Sequence, residues 1–208
     1  MTPGQIKSVA VESSKVYYNY LLETGRGIEE VKVLSIAHNK KDLFKLKLDK
    51  LILVPAFMPP HKNTRDVIDA KDRLEMVRLA IEDNPAFEIS TYEVDSKKKS
   101  YSIDTLKELR NIYGDEAQLC FITGSDSLKD LFSWKNINDI FKISKFIVAN
   151  RPGYPLKDIP KEADTVVITP IEVSSEDIRK RLKEGRSIRY LVSERVRKYI
   201  LEHNLYIS

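Results

Sequence analysis

From residue 50 onward the chain alternates two patterns: short, nearly unbroken apolar runs, and stretches whose apolar residues return every three or four positions. Residues 51–54 are a run of the first kind, stopped by Pro55, and read as a buried strand. Residues 71–83 place Leu74, Val77, Ala80 and Ile81 on one stripe and read as a helix. Residues 87–94 alternate and read as a strand. The spacing of Ile103, Leu106, Leu109 and Ile112 predicts a helix over 102–113, with Ser102 as N-cap, Asp104 favourable in the first turn and Gly114 as the stop. Strands are expected at 118–123, 146–149 and 166–169, with short helices at 128–132 and 137–143 between the first two. Ser174-Ser175 opens a helix ending near Gly185, and Ser193 caps a last one reaching about His203. Upstream, 6–11 can form a strand and 16–22 a helix.

Alternating strands and helices, with nearly continuous apolar strands, argue for an α/β fold with a mostly parallel sheet covered on both faces. Ligands of such sheets bind beyond the carboxyl ends of the strands. Chemistry is therefore sought just after each strand.

Composition narrows the class. A chain of 208 residues with 42% apolar and 32% charged content is an ordinary globular protein with ample core. No uninterrupted apolar stretch is long enough to span a membrane, and the first residues lack the apolar centre of a signal peptide. The single cysteine, Cys120, excludes an internal disulfide and suits a reducing, cytoplasmic setting; within its apolar run it reads as a small buried hydrophobe rather than a nucleophile. A net charge of +4 favours anionic ligands mildly and is too small to argue for nucleic acid. Lys97-Lys98-Lys99 reads as a solvated turn.

Three loops that follow strands, and Trp134 between two short helices, carry unusual residues. Pro59-Pro60 stiffens a loop that presents His61 and Lys62, both able to bond phosphate oxygens. In Gly124-Ser125-Asp126 the glycine permits close approach of a ligand, and the carboxylate can accept from ribose hydroxyls or cap a helix. Trp134, the only tryptophan, can stack on a flat ring or pack in the core. Ser174, Ser175 and Arg179 at a helix start could hold a phosphate, although Glu176 and Asp177 oppose it and the same residues suit a simple cap. Phosphate donors, a ribose acceptor and a stacking ring together indicate a nucleotide site.

The ordered set of motifs resembles the bacterial nicotinate-nucleotide adenylyltransferases. The matching stretches are Val54-Pro55 with Pro59-Pro60-His61-Lys62, Arg73-Leu74-Glu75-Met76, Ser100-Tyr101-Ser102 with Asp104-Thr105, Gly124-Ser125-Asp126, Trp134, Arg151-Pro152-Gly153, Val173-Ser174-Ser175 with Ile178-Arg179, and Asn204-Leu205-Tyr206. The likeness runs from about residue 48 to the C-terminus. It implies a Rossmann-like nucleotidyltransferase fold and transfer of the adenylyl group of ATP, with Mg²⁺, to nicotinate mononucleotide in NAD biosynthesis. It further implies that Trp134 stacks on the pyridine ring, that Tyr101 and Ser102 hold its carboxylate, and that Gly124, Asp126 and Arg151 line the mononucleotide site. His61, Lys62, Ser174, Ser175 and Arg179 would meet the ATP phosphates. No nucleic acid or membrane partner is implied, and a homo-oligomer is left open.

Two departures stand out. The family begins with a strand, a glycine-rich turn and an H-x-G-H pair that grips ATP, whereas this chain has only His38, His61 and His203. Residues 1–33 accordingly read as an atypical N-terminal segment ahead of a transferase-like domain at 34–208, where 34–37 looks like the helix after the missing motif; His38 reads as an exposed helix residue, and no catalytic residue is assigned. Glu176 stands where the family usually has threonine. Two functions remain: an active adenylyltransferase, or a nucleotide-binding relative with little catalysis. A phosphopantetheine-directed transferase would leave Trp134 unexplained, and an RNA-binding module lacks its basic, aromatic surface.

Overall fold

The computed structural model describes residues 8–12, 48–58, 68–99, 101–167 and 173–207. The helices expected at 16–22 and 34–37, and the residues His38, His61 and Lys62, lie outside them.

Six parallel strands form one sheet in the order β3-β2-β1-β4-β5-β6. They are β1 (Ser8–Glu12), β2 (Lys50–Leu53), β3 (Phe87–Ile89), β4 (Gln118–Gly124), β5 (Lys145–Ala149) and β6 (Ala163–Val166). This is the doubly wound order, in which the chain reverses its direction of travel between β1 and β4 and leaves a crevice there. The strand expected from the N-terminal pattern is thus in the middle of the sheet: Ala10 is registered against Leu51 of β2 on one side and Cys120 of β4 on the other.

Strand alternation divides the core between two faces. Leu51 and Leu53, Cys120 and Ile122, and Ile147 and Ala149 pack against α1 (Ala70–Ile81), α5 (Ser175–Lys183) and α6 (Glu194–Glu202). Ile52 and Val54, Leu119 and Phe121, and Phe146 and Val148 pack against α3 (Ser102–Tyr113), α4 (Ile137–Ile143) and the 3₁₀ segment Ser125–Ser133. Both faces of β4 are buried, so its sequence is an apolar run rather than an alternation. Each such Leu, Ile or Phe contributes about 1.5–3 kcal/mol by leaving water.

One buried charge has a structural task. Arg73 of α1 donates from Nη2 to the Phe57 carbonyl at 2.9 Å and from Nε to the Ile68 carbonyl at 3.3 Å, joining the chain on either side of residues 59–67.

Four sequence expectations are corrected. Residues 87–94 are not one strand: β3 ends at Ile89 and a short helix, α2 (Tyr92–Ser96), follows, with the Thr91 hydroxyl donating to Asp95 at 2.6 Å. Glu93 and Val94 are both buried, which a period of two cannot satisfy and a helical turn can. The N-cap of α3 is Tyr101, and Ser102 is its first helical residue. Ile112 does not complete the inner stripe of that helix but is 50% exposed. The strand expected at 166–169 begins earlier, at Ala163, and β6 is Ala163–Val166; residues 168–169 lie outside the described residues. As an edge strand it carries outward polar residues, Asp164 among them, which bonds Lys145 at 2.9 Å. Cys120 is buried as expected, and burial pushes its thiol up to about 11, so it is no nucleophile at neutral pH.

Candidate active site

The carboxyl ends of β4 and β5 meet beside the crevice. Gly124 closes β4 with φ −84°, so its value is the lack of a side chain rather than a left-handed backbone. Ser125 then ties the two strand ends together: its hydroxyl donates to the Tyr154 carbonyl at 2.6 Å and accepts from the Arg151 amide at 3.0 Å. Arg151 and Tyr154 bracket the Pro152-Gly153 turn, whose Gly153 has φ +78°. This turn aims the Arg151 guanidinium at Asp126, and Nη1 pairs with the carboxylate. The Asp126 side chain is only 9% exposed and that of Arg151 20%, so the pair is largely removed from water. Asp126 is not the helix cap that its position allowed: Gly124 is the N-cap and Asp126 lies in the first turn of the 3₁₀ segment.

Across the same face stands Trp134, which ends the 3₁₀ segment. It is half-buried, with its ring edge-on to Phe121 (centroids 6.0 Å, 80°) and to Phe146 (6.5 Å, 66°). The core therefore fixes its plane, while part of the ring stays accessible. Its neighbour Lys135 reaches the start of α3: Nζ lies 4.4 Å from the Tyr101 ring centroid and 3.0 Å from Asp104. Lys99 approaches the same ring at 5.8 Å. Tyr101 and Ser102 thus lie at a helix N-terminus with two ammonium groups and one carboxylate around them, a setting that favours an anion. Sequence reading named Tyr101, Ser102 and Trp134 and missed Lys135, whose signal was its place directly after the tryptophan. It also gave Ser125 no role, although a hydroxyl between Gly124 and Asp126 is well placed to tie a strand end.

Ser174, Ser175 and Arg179 gather at the start of α5, after the edge strand β6. The Ser174 hydroxyl accepts from the Asp177 amide at 3.0 Å and is the N-cap. Ser175 is buried, Arg179 half-buried and Glu176 exposed. Asp177 is engaged by Arg181 at 2.8 Å, which draws its charge away from the helix start. Asp126 and Arg151 are thus paired beside Ser125, and Lys135, next to Trp134, meets Tyr101, whereas α5, at whose start Ser174, Ser175 and Arg179 lie, packs on the opposite face of the sheet. A separate cleft of about 580 Å³, lined in part by Glu88, Asp95, Glu108 and Tyr113, includes none of the predicted site residues, and its acids make it a poor phosphate seat.

Among the described residues no helix is long and apolar enough to cross a membrane. The family model described as cytidylyltransferase-like matches residues 34–181. A protein of Thermoanaerobacter sp. (strain X514) named "Probable nicotinate-nucleotide adenylyltransferase" is 42% identical over 171 residues, covering 77% of this chain and 81% of its own. A protein of the same name from Thermus thermophilus is 40% identical over 161 residues, covering 77% and 85%. In fold the chain is similar to the Plasmodium falciparum nicotinic acid mononucleotide adenylyltransferase solved with NaAD, with a TM-score of 0.66 at 19% identity over 96% of this chain and 97% of that one. Identity at this level across four fifths of each bacterial relative's length, on a doubly wound nucleotidyltransferase sheet, establishes that the chain belongs to the nicotinate-nucleotide adenylyltransferase family.

Proposed function

We propose that this protein transfers the adenylyl group of ATP to nicotinate mononucleotide, releasing pyrophosphate, as a cytoplasmic step of NAD synthesis. The observation that carries the reading is the buried Asp126–Arg151 pair at the carboxyl ends of β4 and β5, together with Trp134, its plane fixed against Phe121 and Phe146, and the electropositive start of α3. Asp126 accepts from the ribose hydroxyls, Arg151 holds that carboxylate in place, Trp134 stacks on the pyridine, and Tyr101-Ser102 receive the pyridine carboxylate. Ser174, Ser175 and Arg179, with His61 and Lys62, meet the phosphates of ATP.

The chemistry asks little of a general base. A phosphate monoester is already ionised at neutral pH. One of its oxygens forms the new bond to the α-phosphorus, the bond from that phosphorus to the bridging oxygen breaks, and the electron pair departs with pyrophosphate. Rate then depends on alignment and on neutralising phosphate charge. Among the described residues no group of three or more His, Cys, Asp or Glu is placed to hold a metal. Mg²⁺ brought with ATP would supply further neutralisation of phosphate charge.

The second reading, a nucleotide-binding relative with little catalysis, is favoured by one observation: the sequence contains no H-x-G-H. Loss of such phosphate donors can cost on the order of 10²–10³ in rate for each. Pyrophosphate release by the purified chain, with ATP, Mg²⁺ and either the acid or the amide mononucleotide, separates the two. Turnover with the acid form supports the transferase. Quenching of Trp134 by the mononucleotide without pyrophosphate supports the binding protein.

A further inference from the structure

Glu93 of α2 is a carboxylate with 5% exposure outside the set of residues just assigned. A side chain of this kind is seldom buried without several donors. Here one oxygen, Oε1, accepts from the Thr105 hydroxyl, and Oε2 is buried with no hydrogen-bond partner among the described residues. Thr105 is itself 2% exposed and is the fourth residue of α3. Its amide, like that of Asp104, donates to the Tyr101 carbonyl, at 3.3 and 3.0 Å. The strut from Glu93 to Thr105 therefore ends on the single turn that carries Tyr101 and Ser102. Its other end is fixed as well: the Ser96 hydroxyl donates to the Glu93 carbonyl at 2.9 Å, and Lys97, at φ +52°, turns the chain out of α2.

Stability does not account for this arrangement. A buried ionic or polar pair can often be replaced by well-packed apolar residues of similar volume at no loss, whereas removing one partner alone is costly. A directional bond does what apolar packing does not: it sets the rotation and height of the first turn of α3. We propose that Glu93 is a positioning residue, acting through Thr105 to hold the Ser102 amide where it meets the carboxylate of the pyridine mononucleotide. This rests on the reading of Tyr101-Ser102 as that carboxylate's seat.

The decisive protein is the double variant Glu93→Met/Thr105→Val, which removes both polar partners at nearly constant volume and so strands neither. It is expected to melt within a few degrees of the wild type, to raise KM for nicotinate mononucleotide roughly 10- to 100-fold, and to leave KM for ATP within about twofold. Thr105→Ser, which keeps the hydroxyl, and Glu93→Gln, which keeps an acceptor, are expected to stay near the wild-type KM. Ser102→Pro tests the underlying reading separately. Proline is tolerated at the first helical position, Tyr101 at φ −117° and ψ 131° already has the backbone a following proline requires, and the change removes the amide and the hydroxyl, the two donors Ser102 offers the seat. A raised mononucleotide KM in Ser102→Pro together with an unchanged one in the double variant would overturn the role of Glu93 and leave the site intact. An unchanged KM in Ser102→Pro would overturn both.

Discussion

Replacing Arg151 by methionine leaves the largely buried Asp126 carboxylate without the Arg151 guanidinium. Asp126 is 9% exposed, so water cannot reach it freely, and removal of one partner of a buried pair costs about 3–5 kcal/mol. The pair lies toward the lower end, about 3 kcal/mol, because the lost guanidinium was one-fifth exposed and already partly solvated. The surrounding turn should survive, since Ser125 anchors it through the Arg151 amide and the Tyr154 carbonyl rather than through the guanidinium. For a chain of this size each kcal/mol moves Tm by about 2–4 °C, so Arg151→Met should melt about 6–12 °C lower. The converse change, Asp126→Asn, leaves the more exposed partner, which water can reach and which sits 5.7 Å from the Tyr154 ring; it should cost less than half as much. Thermal and urea unfolding at neutral pH, in low and high salt, measure both. A shift below about 2 °C for Arg151→Met, equal shifts for the two variants, or a loss that disappears in high salt would each mean that the pair behaves as a solvated surface contact, and the argument for a rigid ribose acceptor would fail with it.

Three further outcomes are expected. Cys120, buried and with its thiol pushed up to about 11, should resist a thiol reagent at mildly alkaline pH in the native protein and react at the rate of unfolding; stoichiometric labelling within minutes would refute its burial. Burial and the neighbouring Glu88 push the Tyr113 hydroxyl up to about 12, and burial with the Asp72 bond does the same for Tyr199. Between about pH 10 and 12 the folded chain therefore holds protons that the unfolded chain has released. The stability these groups contribute is fully present below about pH 10 and is lost as pH rises through that window, and Tyr113→Phe or Tyr199→Phe should flatten the fall in urea midpoint across it. Lys135→Glu should lower the preference for the acid over the amide mononucleotide roughly fivefold at low salt, fading as salt screens it, as read from the ratio of kcat/KM values.

The central strands and the helices over them were legible because burial on both faces writes itself as apolar runs and three-to-four spacing. β4, with Leu119, Phe121 and Ile122 wholly buried, could hardly be read otherwise. The errors fall where that signal weakens. At 87–94 the alternation of Phe87 and Ile89 continues by accident into a helical turn, and only the adjacent burial of Glu93 and Val94 distinguishes them. At the last strand an exposed edge supplies polar residues, Asp164 and Thr165, so the apolar Val166 and Val167 drew the expected strand a few residues late. Of the site, single residues were legible and their pairings were not. Asp126 and Arg151 are 25 positions apart and meet only because β4 and β5 are neighbours, and Glu93 reaches Thr105 only after a turn that the pattern concealed.

The position of β1 sharpens the question of catalysis. In a doubly wound sheet the strand at the switch point has two separable duties: to pair on both sides, and to deliver the residues that follow it into the crevice. Pairing needs only a short extended run with the right register, and Ser8–Glu12 meets it against both β2 and β4. Delivery needs specific donors, and the residues that follow, Ser13-Ser14-Lys15, contain neither the glycines nor the histidines of the family's first turn. The residues proposed for the mononucleotide lie just after β4, just after β5 and at the start of α3. On the proposed assignment, binding of the pyridine nucleotide and transfer of the adenylyl group can part company in this chain: the first follows from the residues after β4 and β5 and at the start of α3, while the second turns on whether other cations supply the charge that the histidine pair would have met. A mononucleotide affinity unaffected by ATP, beside a transfer rate lowered by the factor expected for missing phosphate donors, is the result this separation requires. Loss of both together would place the fault in the sheet rather than in the turn.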